Sequence, residues 1–119
     1  MEIVNIILAV LSIAFGGICL VAPRYALGAL SLRTDGANDG LSEIRGASGG
    51  AFVLLAAVAL VVSHPAAWVM MGVHYAGAAL GRGVSIVLDA AGSPKMWIYF
   101  GIEVVFAAWL ISANLVGAF

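Results

Sequence analysis

Arg82 stands inside a long apolar run, Gly77-Ala78-Ala79-Leu80-Gly81-Arg82-Gly83-Val84-Ser85-Ile86-Val87-Leu88-Asp89, with glycines on either side of it. A fixed positive charge in a greasy helix is expensive and must find a partner or face water. Read as a helix, the run places His74, Ala78, Arg82, Ser85 and Asp89 down one face at three- and four-residue steps. Glu43, Arg45 and Glu103 are the other charges in hydrophobic surroundings. The chemistry open to such a set is ion pairing and the holding of an anion or carbonyl oxygen by a guanidinium. The candidate acid–base groups are Glu43, Glu103 and His74.

Those charges meet only if helices bring them to one depth. Arg82 lies seven residues before Asp89, and Glu103 eight residues after Lys95. At 1.5 Å rise per residue, both sit about 10–12 Å from the short connection between their helices. Arg82–Glu103 is therefore the first ion pair expected. Glu43 and Arg45 enter the same leaflet from an earlier helix, nearer the surface, so two acids and two arginines could close into one network. A structural reading makes this network a pin that holds helices in register. A functional reading makes it the lining of a cavity that receives a polar group.

The remaining reactive residues point to packing. His74 could relay protons or bind a metal, but no second histidine lies at ligand spacing, so no metal is expected. The single cysteine, Cys19, lies in an apolar run and reads as a small packing residue. Met70, Met71, Tyr75 and Tyr99 read as packing and interface residues. Ser48 and Ser85, beside glycines, read as helix–helix contacts. No Walker loop, dinucleotide fingerprint, CxxC or nucleophile elbow is present, and no cofactor is expected.

The elements that must position these groups follow from composition. The 119 residues are 64% hydrophobic and 9% charged, with a mean hydropathy of +1.15. A soluble domain is about a quarter charged, so the solvent here is expected to be lipid. The net charge of −1 comes without a basic cluster, which argues against nucleic acid and against a polybasic lipid-binding tail. A single membrane domain is expected, with helices at about 3–22, 41–63, 66–89 and 95–116 and a polar loop at about 23–40. No Lys or Arg precedes the first apolar run, so it reads as a retained helix. Pro23 ends it, and 25–30 is apolar enough for a short interfacial helix. Asp39 or Ser42 is expected to cap the second helix, in which Gly46 and Gly50 form a small-xxx-small pair. Gly49, Gly77 and Gly81 join them as expected close-approach positions. Ser63-His64-Pro65 reads as a tight hairpin, and Trp97 and Tyr99 as interfacial anchors. The fold class is thus an all-α integral membrane protein, a four-helix antiparallel bundle. Arg24, Arg33 and Lys95 fall on one side and no Lys or Arg on the other, which places the long loop in the cytoplasm and both termini in the periplasm of a bacterial inner membrane.

Gly40-Leu41-Ser42-Glu43-Ile44-Arg45-Gly46-Ala47-Ser48-Gly49-Gly50 and Gly81-Arg82-Gly83-Val84-Ser85-Ile86-Val87-Leu88-Asp89, followed by Glu103, resemble a bacterial family of small membrane proteins, the domain of unknown function 4345. The resemblance covers nearly the whole chain. It implies four membrane helices and no established activity, and its pattern falls on Glu43, Arg45, Gly49, Gly50, Gly81, Arg82, Ser85 and Glu103. The plan is also similar to DoxX-like four-helix proteins, by fold analogy alone. The expected role is a non-enzymatic accessory or interaction subunit, packed with copies of itself or with a larger membrane complex. The alternative is a cytoplasmic-leaflet site in which Arg45 and Arg82 hold an anionic or carbonyl-bearing lipid, quinone or metabolite. A transporter and an enzyme rank below both, since four short helices leave little room for a pathway.

Overall fold

The computed structural model describes residues 2–119, which form two compact helical units, 2–61 and 62–119. The first opens with α1 (Glu2–Val21). Its buried positions are Asn5, Ala9, Ser12, Gly16 and Cys19, steps of four and three that trace one face. That face is small or polar, whereas Ile3, Ile7, Val10, Leu11, Ile18 and Val21 are exposed. In water such a helix would be inside out. In lipid the large side chains need no cover, and small residues let backbones approach. Ser12 donates its hydroxyl to the Leu8 carbonyl at 2.8 Å, so its polar group is satisfied within the helix.

Pro23 does more than stop α1: it is the first residue of α2 (Pro23–Ala29), where its missing N–H is no loss. The α2 helix ends in a Schellman motif, the Leu32 N–H donating to the Leu27 carbonyl (2.8 Å) and the Ser31 N–H to the Gly28 carbonyl (3.1 Å). Ser31 takes the left-handed conformation (φ 59°). Ala26 on α2 joins Cys19 and Ile44 in a core that Leu27 and Leu30 cover. Cys19 is thus a packing residue.

α3 (Asp39–Glu43) begins at Asp39, and neither Asp39 nor Ser42 caps it: the preceding Asn38 makes no side-chain capping bond. A π-helical segment, Ile44–Gly50, follows and leads directly into α4 (Ala51–Val62). Its buried residues are Ile44 and Gly49, five apart, the spacing that i→i+5 bonding aligns. Ile44 enters the Cys19–Ala26 core. A Cβ on Gly49 would stand 2.9 Å from the Leu20 nitrogen, and one on Gly16 would stand 2.9 Å from the Gly49 carbonyl oxygen. The close approach of α1 to the π segment therefore rests on Gly16 and Gly49. A Cβ on Gly46 would meet nothing within 4 Å and one on Gly50 only the Arg45 carbonyl at 3.7 Å, because the extra residue turns the expected Gly46/Gly50 face away.

The second unit is a helical hairpin. His64 caps α5 (Pro65–Leu88), accepting from the Ala66 N–H at Nδ1 (3.1 Å), with Pro65 in the first turn. Ser93 caps α6 (Pro94–Asn114), accepting from the Met96 N–H. A 3₁₀ turn, Val116–Ala118, follows. Trp68, Met71, Gly72, Tyr75 and Ala79 are the buried face of α5, and Glu103, Ala107, Leu110 and Asn114 that of α6. Their pairing is antiparallel: Gly72 lies against Leu110 and Ile111, Gly83 against Phe100, and the Tyr75 ring packs edge-on to Phe106 at 5.0 Å. The glycines at this contact are Gly72 and Gly83. Gly77 and Gly81 are exposed, and an added Cβ would meet nothing within 4 Å at either.

The regular elements among the described residues are helices, with no strand. Three helices are long and apolar enough to cross a membrane: Glu2–Val21, the continuous Asp39–Val62 and Pro94–Asn114.

Candidate functional site

Arg82 continues the packed stripe of α5 at the spacing that follows Tyr75 and Ala79, so its side chain reaches α6. Its Nε donates to Glu103 Oε1, closing an ion pair. The pair lies between two helices, with the Arg82 side chain 27% and the Glu103 side chain 11% exposed. Two further α6 residues complete the surroundings. Met96 Sδ accepts from Arg82 Nη1 at 3.4 Å, and the guanidinium carbon stands 5.4 Å from the centre of the Tyr99 ring. Met96, Tyr99 and Glu103 lie at steps of three and four, one face of α6 aimed at one guanidinium.

The chemistry of this cluster is that of a held cation. The carboxylate neutralises the arginine where desolvation makes an unpaired charge costly. The aromatic face adds a cation–π contact. A thioether is a weak acceptor, so Met96 completes the shell without competing with Glu103.

The other expected site residues are placed elsewhere. His74 is exposed, its ring edge-on to neighbouring Tyr75 at 6.4 Å. It is joined to neither Arg82 nor Glu103, since the packed stripe of α5 runs through Tyr75 and Ala79. Ser85 donates to Asp89 Oδ2 at 2.8 Å, one turn along the same helix. Glu43 and Arg45 belong to the first unit. Arg45 Nη1 donates to the Leu20 carbonyl at 2.5 Å, placing a cation on an end-of-helix acceptor of α1. Glu43 is exposed at the end of α3. Arg82–Glu103 is an ion pair between α5 and α6.

Met96 and the stacking role of Tyr99 escaped the sequence reading. The spacing Met96, Tyr99, Glu103 was a signal that could have found them once Glu103 was assigned to the inner face.

One open groove of about 630 Å³ runs beside the hairpin, lined by Ala79, Leu80, Gly83, Val87, Phe100 and Val104 among others, all apolar. No group of three or more potential metal ligands occurs among the described residues.

No curated protein and no solved structure matches the chain significantly. A family model does, over residues 1–113, described as Domain of unknown function (DUF4345). The span of that match takes in Glu43, Arg45, Arg82 and Glu103 alike, and the chain belongs to this family.

Proposed function

We propose that the protein is a non-enzymatic, four-span membrane protein that serves as an accessory or interaction subunit, with its polar groups devoted to holding helices together. One observation carries this reading: Arg82 and Arg45, the two arginines in apolar surroundings, are each held by a group of a neighbouring helix. Arg82 binds Glu103, and Arg45 binds the Leu20 carbonyl. His64 and Ser93 cap helices, while Ser12, Ser112 and Asn114 bond to carbonyls one turn back. The outward surface is made instead of large apolar side chains such as Leu80, Val105 and Ile98.

The fourth span in this reading is α5. It has 24 residues, about 36 Å of helix, enough to cross a hydrocarbon core of about 30 Å. It is antiparallel to α6, itself apolar enough to cross, through a link of residues 89–93. A helix paired along its length with a spanning helix spans too. Arg82, His74 and several glycines are what lower its apolar character, and the arginine is neutralised within the pair. Following Arg24, Arg33 and Lys95, the reading puts 23–40 and 89–93 on the cytoplasmic side and the chain ends on the other.

Native mass spectrometry of the gently solubilised protein tests the role. The expected result is a discrete assembly above the monomer, of copies of this chain or of this chain with a fixed partner subunit. A monodisperse monomer under the mildest extraction would count heavily against an interaction subunit.

A further inference from the structure

The Arg82 guanidinium has five N–H donors, and the hairpin uses two of them. Nε goes to Glu103 and one Nη1 hydrogen to the Met96 thioether. Both Nη2 hydrogens and the second on Nη1 have no partner among the described residues, and the side chain keeps 27% of its surface open. N–H groups left open at the edge of hydrocarbon favour an oxygen acceptor there.

Its source follows from position. Arg82 lies six residues before Leu88, about 9 Å along the helix from the end of α5. Trp97 is exposed in the first turns of α6, at the same end, as an aromatic of the membrane–water boundary is. Leu80 and Val84 on the outward face of α5, and Ile98 and Ile102 on α6, are exposed and apolar, as on a hairpin whose outer surface meets lipid. An acceptor arriving there is carried by a lipid. The fork of Nη1 and Nη2 matches the two non-bridging oxygens of a phosphodiester, and the guanidinium carbon lies over the Tyr99 ring, 5.4 Å from its centre.

We propose that Arg82 binds the phosphodiester of a glycerophospholipid through its Nη1–Nη2 edge, with Glu103 on Nε and Tyr99 beneath as positioning residues. This goes beyond the accessory role: a lipid held at Arg82 neither requires nor excludes partner subunits. Glu103 lowers the net charge of the site, so the lipid is held as an exchangeable boundary lipid.

The test is native mass spectrometry of the full chain, extracted in mild detergent and titrated with phosphatidylglycerol. Retained lipid and thermal stability are read in parallel. Arg82→Lys keeps the charge and the reach to Glu103 but removes the fork. It is expected to weaken lipid retention about tenfold, the loss of one charge-assisted hydrogen bond. Arg33→Lys, at an exposed cation of the polar segment outside the site, is expected to retain lipid as wild type does. Tyr99→Leu, which leaves both charges in place, is expected to fall between, and decides the matter if Arg82→Lys does not fold. Equal retention in wild type and Arg82→Lys, or equal loss in Arg82→Lys and Arg33→Lys, overturns the proposal. So does displacement of the lipid by inorganic phosphate at comparable concentration, which would make the site one for a soluble anion.

Discussion

At the scale of single residues, the protein's most consequential choice is a charge pair between α5 and α6. An arginine there without its carboxylate would have to reach water, and a glutamate without its arginine likewise. Breaking such a pair leaves one charge exposed to low dielectric, and the partial exposure of Arg82 tempers the loss. We therefore expect Arg82→Ala to destabilise the hairpin by about 2–4 kcal/mol in reversible unfolding from bicelles. The exchanged pair, Arg82→Glu with Glu103→Arg, should recover a clear part of that loss; no recovery would mean that the pair contributes little beyond packing. The pair was legible in advance because the link at 89–93 is short. A short hairpin converts distance from the turn into depth, and counting from both ends put Arg82 and Glu103 level. Arg45 was not legible in the same way. Its partner is the Leu20 carbonyl, and backbone acceptors have no letter in the sequence.

At the scale of elements, the π segment decides which residues touch α1. Ile44 and Gly49 are both seated, five positions apart, so one residue more than an α-helix would place there lies between them. Ala47, exposed within the segment, is the natural residue to remove. Deleting Ala47 should let an ordinary α-helix satisfy both seats, with a thermal midpoint within a few degrees of wild type. Deleting Ala57, within regular α4, should instead swing the buried Ala59 by about 100° and unfold the first unit. Equal damage from the two deletions would sink this account. Glycine substitutions probe the same contact. Gly49→Ala drives a Cβ against the Leu20 backbone and should destabilise by about 1–3 kcal/mol, while Gly46→Ala meets open space and should be neutral or stabilise by up to about 1 kcal/mol. Chemical denaturation of the two variants side by side checks the difference.

At the scale of the whole molecule, the distribution of large apolar side chains speaks for lipid. Exposed Leu, Ile and Val cover the helices, and the buried face of α1 is made of Asn, Ala, Ser, Gly and Cys. If α5 is the fourth span, its two ends lie on opposite sides of the membrane. With Cys19 replaced by alanine, Ser63→Cys and Gly92→Cys should react with an impermeant maleimide from opposite faces of sealed vesicles. Labelling of both from one face would remove α5 from the set of spans.

The sequence by itself determined the all-helical class, the apolar spans and the pairing of Arg82 with Glu103. Each follows from local quantities: apolar run length, proline and turn residues, and rise per residue. Only the tertiary structure decided which faces meet. A helical wheel at 3.6 residues per turn grouped His74 with Arg82 and Gly46 with Gly50. Packing instead chose Tyr75 with Phe106, Gly72 with Leu110 and Gly49 with Leu20. Small residues are compatible with close approach on any face, and a one-residue π insertion changes the phase without changing composition. The choice among faces is made by the neighbouring helix, whose shape no local pattern records.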